Sequence, residues 1–244
     1  MRTHLTDIYQ RLYHHFGPQG WWPTTPPNGD RPRYVPERPG RSLTPSEQWE
    51  IVVGAILTQN TAWRNVEYAL VALHAQQKLD LHALAALAPK TLGALIRPSG
   101  YFNQKAQRLL DLAQYLIHHA GGDIAAYLKR PGTTLRHELL ALKGIGPETA
   151  DAILLYAGHH LFFVIDAYTR RILSRLGIAD IGTNYDAWQR LFMDNLPPDA
   201  VLFNEYHALL VQHAVTYCRV KPRCAACCLK AQCPYPNNFE GESA

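Results

Sequence analysis

The chain has 244 residues, of which 47% are hydrophobic and 18% are charged. This composition excludes a largely disordered, collagen-like or coiled-coil protein, and the length suits one large domain or two modest ones. A net charge of +4 indicates a polyanionic partner only weakly. No apolar run approaches the roughly 18 residues of a membrane span, and the N-terminus has no apolar stretch typical of a secretory signal. We therefore expect a soluble, cytoplasmic protein that contacts no membrane.

The predicted elements are almost all helices. Apolar residues at helical spacing predict an N-terminal helix over about residues 4–16, followed by a Pro- and Arg-rich loop that extends to Ser42. A second helix is expected from Ser46, which is placed as its N-cap. Further helices are predicted over residues 66–73, 81–88, 91–96, 106–117, 135–142, 147–157 and 200–217. Since the strand-like run 161–165 is too isolated to build a sheet, the predicted fold class is all-α.

Residues 142–150 (L-K-G-I-G-P-E-T-A) have the pattern helix, tight turn, helix. Gly144 and Gly146 permit backbone conformations that are costly for other residues, and Pro147 suits the first position of the second helix. The backbone N–H groups at the start of that helix favour an anion. One interpretation is therefore a sequence-independent contact with a nucleic-acid backbone. The other is an ordinary corner between two helices.

A single aspartate, Asp166, directly follows the apolar run 162–165. Burial at the edge of a core would raise the pKa of its carboxyl, whereas a nearby helix N-terminus would lower that pKa and keep the group charged. Asp166 is therefore a candidate for a functional carboxylate that stays charged at the edge of the core. It is also a candidate N-cap for a helix that begins at Ala167, and the two roles are compatible.

All five cysteines lie within residues 218–233. Because disulfides that stabilise a fold join distant segments, this local cluster predicts a metal site. The candidate ligands, separated by five, two and five residues, are Cys218, Cys224, Cys227 and Cys233. Cys228 is an alternative to Cys227. Four thiolates suit either a [4Fe–4S] cluster or a zinc ion.

The cysteine loop is also basic. It contains Arg219, Lys221, Arg223 and Lys230, and the sequence has no Asp or Glu between Tyr206 and Phe239. One interpretation is a surface that contacts DNA phosphates; the other is a solvated basic loop.

Taken together, these motifs resemble the helix-hairpin-helix, Gly-Pro-Asp (HhH-GPD) superfamily of DNA glycosylases, in its endonuclease III branch. The hairpin followed by V-I-D carries the resemblance, together with residues 56–61 (I-L-T-Q-N-T) and 100–106 (G-Y-F-N-Q-K-A). These motifs occur in the family's order, and the similarity covers about residues 45–235. The last two cysteine intervals match the family's [4Fe–4S] pattern, and the first is one residue shorter.

The resemblance implies a monomer that binds double-stranded DNA containing damaged bases. It implies two helical lobes: residues 40–160, with the hairpin at about 135–157, and residues 1–39 plus 161–244, with a C-terminal [4Fe–4S] loop. A damaged nucleotide would be flipped into a cleft between the lobes. Asp166 would be the catalytic carboxylate, and Gln59 would fill the vacated stack. The residues assigned to DNA contact are Gln59, Lys143, Gly144, Ile145, Gly146, Thr149, Arg219 and Arg223.

The sequence departs from the bifunctional members of the family at Glu148. Those members carry a lysine here, whose amine forms a Schiff base with the sugar and leads to strand cleavage. A carboxylate cannot form a Schiff base, so we expect a monofunctional enzyme that removes the base with water. The alternative is that Glu148 is only a solvated residue in the first turn of a helix.

The choice of base depends on the tryptophans. Trp-Trp-Pro near the N-terminus and the segment I-L-T-Q-N-T-A-W resemble the bacterial 3-methyladenine glycosylases, and electron-rich indoles favour a cationic alkylated purine. The expected pocket residues are Trp21, Trp22, Trp49 and Trp63. The alternative for Trp49 and Trp63 is a place in the core. Three other functions stay open: a bifunctional glycosylase and AP lyase for oxidised pyrimidines, a mismatch-adenine glycosylase, and a damaged-DNA-binding module without catalysis.

Overall fold

The computed structural model describes residues 1–37 and 39–235. Within these ranges it contains twelve α-helices and no β-strand, and the one pairing of extended chain is an isolated bridge between Thr24 and Arg33. The fold is therefore all-α, as predicted. None of the described helices is both long enough and apolar enough to cross a membrane.

The α-helices, in chain order, are α1 (Arg2–Phe16), α2 (Pro45–Leu57), α3 (Trp63–Ala75), α4 (Leu81–Ala85), α5 (Pro89–Leu95), α6 (Phe102–Ala120), α7 (Ile124–Leu128), α8 (Gly132–Ala141), α9 (Pro147–Ala152), α10 (Ala167–Arg175), α11 (Tyr185–Met193) and α12 (Ala200–Thr216). A π-helical turn, Ile153–Ala157, continues α9. Short 3₁₀ turns occupy Arg97–Ser99, Cys224–Ala226 and Lys230–Gln232.

Capping side chains set the helix starts. The predicted cap at Ser46 is wrong, because Thr44 caps α2: its hydroxyl accepts from the N–H of Glu47, whose carboxylate accepts from the N–H of Thr44. This reciprocal pair satisfies two N–H groups that have no partner within the helix. The sequence analysis also missed α11, although Asn184 caps it and its apolar side chains bury one face.

The described chain divides into two compact units. Unit 1 comprises Met1–Trp21, Pro36–Pro39 and the residues from Leu161, and unit 2 comprises Trp22–Val35 and Gly40–His160. The sequence analysis placed all of residues 1–39 in the first unit, which is wrong for Trp22–Val35. Hydrogen bonds explain the difference: the Thr24 hydroxyl donates to Glu47, and the N–H and hydroxyl of Thr25 donate to Glu50, both on α2.

The core of unit 1 forms around α12, which packs against α1 and α10. Phe163 stacks on Phe192 with ring centroids 3.9 Å apart. The buried Tyr206 donates its hydroxyl to the carbonyl of Leu5, 2.8 Å away. Tyr206 therefore joins α12 to α1 without leaving its own polar atom unsatisfied.

The core of unit 2 forms around α2, whose residues from Trp49 to Leu57 are all buried. A lysine, Lys105 on α6, is buried against the end of this helix. Its Nζ donates to the carbonyls of Leu57 at 2.8 Å and Ser99 at 2.6 Å. Burial, with a smaller contribution from the charge of Arg108, lowers the pKa of Lys105 to about 8. The lysine thus satisfies the carbonyl of Leu57, which the end of α2 leaves without a helical partner, and also the carbonyl of Ser99 in the 3₁₀ turn.

Replacing Lys105 by methionine tests this cap. The variant leaves two buried carbonyls without a donor, so we expect the free energy of unfolding to fall by about 1–3 kcal/mol. The folded-state pKa lies below the unfolded value of about 10.4, so the unfolded chain binds more protons between roughly pH 8 and pH 10.4. Lys105 therefore favours folding increasingly as pH rises through that window. Urea unfolding across this range would contradict the account if the difference between wild type and Lys105→Met did not grow with pH.

Candidate functional site

The candidate catalytic carboxylate, Asp166, caps α10. Its Oδ1 accepts from the N–H of Thr169 at 2.6 Å, and its Oδ2 lies 3.7 Å from Nε2 of His207. Burial alone would raise the pKa of this carboxyl, but the proximity of His207 and the N–H of Thr169 outweigh burial and lower the pKa below its usual value. The group is therefore a carboxylate at neutral pH. The structure gives it both the capping position and the charged state that the sequence indicated.

The histidine beside Asp166 is a site residue that the sequence analysis missed. His207 lies on α12 and is 8% exposed. Only the packing of α12 against α10 brings it to the carboxylate, and no sequence motif joins these two positions. An imidazole this close to a carboxylate fixes the orientation of the carboxylate and, when protonated, adds a favourable charge interaction.

The hairpin connects α8 to α9. Gly144 has φ 86°, a left-handed conformation that favours glycine, and a Cβ there would collide with the side chain of Arg108. Gly146 is different, since its backbone is extended (φ −92°, ψ 177°) and a Cβ would meet nothing within 4 Å. The prediction that both glycines supply a special conformation is therefore wrong for Gly146. Within the described chain, the N–H groups of both glycines make no hydrogen bond.

The remaining predicted contacts of the hairpin differ in exposure. Lys143, which precedes the turn, and Glu148, which follows it, are both exposed. Ile145 is buried. Thr149 is also buried, and its hydroxyl accepts a hydrogen bond from Gln59. The structure therefore gives Ile145 and Thr149 packing roles and leaves the two charged residues facing solvent.

The predicted wedge, Gln59, contacts the hairpin through its side-chain amide. Its Nε2 donates to the carbonyl of Gly144 at 3.1 Å and to Oγ1 of Thr149 at 2.9 Å. Its Oε1 accepts from the guanidinium of Arg108. The next residue, Asn60, is exposed and has φ 53°. Gln59 is thus docked on the protein in this structure.

The tryptophans do not share one environment. Trp22 is buried in unit 2, edge-on to Trp63 at 5.4 Å between ring centroids and 5.3 Å from the ring of Tyr156. Gly54 of α2 leaves the space that the Trp22 indole occupies. Trp49 is 2% exposed, which favours the alternative of a place in the core over a pocket role.

Two predicted aromatic residues keep accessible surface. Trp63, at the start of α3, and Trp21, in unit 1, are both half-buried. Tyr156 was not predicted, because nothing in its π-helical segment distinguishes a ring that packs on Trp22 from any other buried apolar residue.

Two arginines of α10 bind the cysteine loop. Nε of Arg171 donates to the carbonyl of Cys218 at 2.8 Å, and the guanidinium of Arg175 donates to the carbonyls of Arg219 at 2.6 Å and Val220 at 3.0 Å. Arg175 also lies over the ring of Tyr235, 4.3 Å from its centroid. The helix that Asp166 caps therefore also orders the start of this loop.

The four candidate ligands surround one cavity. Its wall includes Cys218, Cys224, Cys227 and Cys233, and it does not include Cys228. All five cysteines are free thiols. Within the described residues, no three His, Cys, Asp or Glu side chains converge so that they could hold one metal ion. The thiols therefore surround a space instead of meeting at a point.

The basic residues of the loop are solvent-exposed, and none of them forms an ion pair within the described part of the chain; they are Arg219, Lys221, Arg223 and Lys230. Unpaired cations at fixed positions are suited to contacts with phosphate.

Comparison with known proteins identifies the family. The family model described as "HhH-GPD superfamily base excision DNA repair protein" matches residues 53–198. The chain is 38% identical over 230 residues to a Methanocaldococcus jannaschii protein named "Putative DNA repair glycosylase", covering 94% of this chain and 95% of that one.

Two solved structures have similar folds. One is H. pylori 3-methyladenine DNA glycosylase bound to 1,N6-ethenoadenine, with a TM-score of 0.65 and 27% identity over 85% of this chain and 95% of that one. The other is a non-covalent endonuclease III–DNA complex, with a TM-score of 0.75, 17% identity and 99% of both chains covered. Because of the family match and the full-length similarity to a relative, the chain belongs to the HhH-GPD superfamily of base excision DNA repair proteins.

Proposed function

We propose that this protein is a monofunctional DNA glycosylase that hydrolyses the N-glycosidic bond of alkylated purines such as 3-methyladenine. The observation that carries the proposal is the environment of Asp166, a nearly buried carboxylate kept charged by His207 and the N–H of Thr169. A charged carboxylate with little solvent stabilises a neighbouring cation far more strongly than one in water.

The chemistry assigned to Asp166 is hydrolysis. As the bond between base and sugar breaks, positive charge develops on the deoxyribose, and the carboxylate stabilises it. The same carboxylate orients or deprotonates the attacking water. Because Oδ1 accepts from the N–H of Thr169, we assign Oδ2 to the sugar and the water. His207 acts as a positioning residue through its contact with Oδ2.

The preference for alkylated purines is supported by aromatic surface and by a relative. N3- and N7-alkylated purines are cations whose glycosidic bond is already weakened, so excision needs little help from a general acid. The half-buried indole of Trp21, in the unit that also holds Asp166, is suited to contact a cationic base. One solved structure of similar fold, 27% identical to this chain, is a 3-methyladenine DNA glycosylase.

The substrate is double-stranded DNA containing damaged bases, bound by a monomer in the compartment that holds the DNA. Two groups of residues would contact its backbone: the hairpin, through Lys143 and the unpaired N–H groups of Gly144 and Gly146, and the cysteine loop, through Arg219 and Arg223. Contacts of this kind carry no sequence information, which suits an enzyme that examines bases in any context.

The cysteine loop fits a [4Fe–4S] cluster held by Cys218, Cys224, Cys227 and Cys233. The support is that the four thiols line one cavity, and that the last two intervals between them match the family's cluster pattern. When bound, the cluster supplies iron–thiolate bonds that order a loop with little core of its own. Iron and sulfide analysis of anaerobically purified protein tests this, and stoichiometric zinc without iron would contradict it.

A substrate panel tests the proposed function. We expect base release from duplexes containing N3-methyladenine or N7-methylguanine, and no release of thymine glycol or of adenine opposite 8-oxoguanine. Liquid chromatography with mass detection of the free base is the measurement. Release of thymine glycol without methylated purines would favour the oxidised-pyrimidine glycosylase instead. Lesion binding without any base release would favour a damaged-DNA-binding module.

The assignment as monofunctional is tested at Glu148. This residue is exposed in the first turn of α9, so Glu148→Lys places an amine at the family's lysine position with little packing cost. We expect borohydride to trap a covalent protein–DNA adduct with Glu148→Lys and to trap almost none with wild type. Lys143→Gln is the matched control, since efficient wild-type trapping that disappears in this variant would make Lys143 the nucleophile and contradict the assignment.

A further inference from the structure

The side chain of Arg108 on α6 has an unusual position for a cation. Its guanidinium lies against Gly144 at the turn of the hairpin and donates to Oε1 of Gln59. Among the described residues, Arg108 has no carboxylate within ion-pair distance, and the cation Lys105 lies one helical turn away. A positive charge is therefore held at the hairpin by neutral groups alone.

Gln59 in turn depends on Arg108 for its orientation. The amide uses both ends: Oε1 accepts from Arg108, and Nε2 donates to the carbonyl of Gly144 and to Oγ1 of Thr149. Rotating the amide by half a turn would place its N–H group against the guanidinium of Arg108, a second donor. It would also place its oxygen against the carbonyl of Gly144, a second acceptor. Arg108 thereby selects the rotamer in which Gln59 is docked on the hairpin.

A DNA phosphate would compete for this arginine. A guanidinium binds a phosphate by charge-assisted, two-point hydrogen bonds, which are roughly twice as strong as its bond to a neutral amide oxygen. A phosphate at Gly144 would meet an arginine that no carboxylate neutralises. Transfer of Arg108 from Gln59 to that phosphate would remove the contact that fixes the glutamine.

We infer that Arg108 is a positioning residue that keeps Gln59 docked in the free protein and releases it when the hairpin binds a DNA phosphate. The inference rests on the proposed function, because the role of Gln59 in filling the stack belongs to it. It adds an order of events: contact with the backbone comes first, and the glutamine becomes available only where the hairpin is seated. Such coupling would keep the glutamine from disturbing DNA that the hairpin has not bound.

The first measurement is binding to a labelled duplex that contains an uncleavable abasic-site analogue. We expect Arg108→Gln to weaken binding about tenfold and to reduce the slope of log Kd against log salt by about 0.9, the value for one phosphate contact. Lys129→Gln, which removes another exposed charge of unit 2, is the control. Its slope of log Kd against log salt should equal that of wild type within error. An unchanged slope in Arg108→Gln overturns the inference.

The second measurement is hydrogen exchange of the Gln59 side-chain amide by NMR, which does not depend on catalysis. In free wild type this amide should be protected, and the protection should be lost in Arg108→Gln and in the wild-type DNA complex. Protection that persists in the complex overturns the inference. If Arg108→Gln does not fold, Arg108→Lys keeps the charge and should retain the salt slope while losing most of the protection.

The two proposals fail differently. Release of Gln59 on DNA binding by a protein that excises no base would leave the inference standing and end the proposed function. Normal excision of methylated purines with Gln59 still protected in the complex would end the inference alone. A third outcome would also end the inference. In Arg108→Gln, the protection of Gln59 would be lost together with much of the thermal stability, while in wild type DNA binding would leave the protection of Gln59 unchanged. Arg108 would then be a structural residue only.

Discussion

The cap of α10 by the carboxylate of Asp166 is the interaction on which unit 1 depends. The N–H of Thr169 and the imidazole of His207 hold the two carboxylate oxygens, and burial raises the electrostatic value of both contacts. An uncapped helix start would leave this donor unpaired, and an isolated buried carboxylate would become protonated. The same contacts therefore begin the helix and keep the acid charged, as the proposed chemistry requires.

The nine-residue helix α10, which Asp166 caps, also orders the cysteine loop. Arg171 and Arg175 reach the loop backbone from the C-terminal half of α10. A loop with few buried side chains gains order from these contacts and, in the proposed cluster, from its thiolates. Structural support for Asp166 and support for the proposed phosphate-binding surface thus share one helix, which gives the proposed cluster a structural role in a proposed reaction that requires no electron transfer.

In unit 2 the corresponding element is α6. Lys105 satisfies the carbonyl of Leu57, the last residue of α2, and one turn later Arg108 holds Gln59 on the hairpin. Both cations bind neutral acceptors, so their positions are set by hydrogen-bond geometry and not by ion pairing. The carboxylate of Glu50 likewise joins distant segments, because it accepts hydrogen bonds from the backbone N–H and the hydroxyl of Thr25. These bonds hold the segment that contains Trp22 in this unit.

The sequence was informative where function depends on local geometry. The Gly144 turn, the cap at Asp166 and the spacing of the cysteines are each fixed within a few residues of chain, and a pattern of residue types predicts them. Contacts between segments that are distant in the chain have no corresponding pattern of residue types in the sequence. His207, Arg108 and Tyr156 act through helix packing, and amphipathic spacing alone does not separate the buried Trp49 from the half-buried Trp63. The assignment of Trp22–Val35 failed for the same reason, since a Pro-rich segment does not show which carboxylates bind it.

Single-turnover release of N3-methyladenine by wild type and Asp166→Asn tests the central claim most directly. Asparagine caps a helix as well as aspartate does, so the variant should keep the fold and bind an abasic-site duplex with nearly unchanged affinity. It lacks the charge, and the account predicts a rate at least about 100-fold lower, after correction for spontaneous loss of the base. A variant that folds, binds DNA and releases the base within a few-fold of the wild-type rate would show that the carboxylate is only a helix cap.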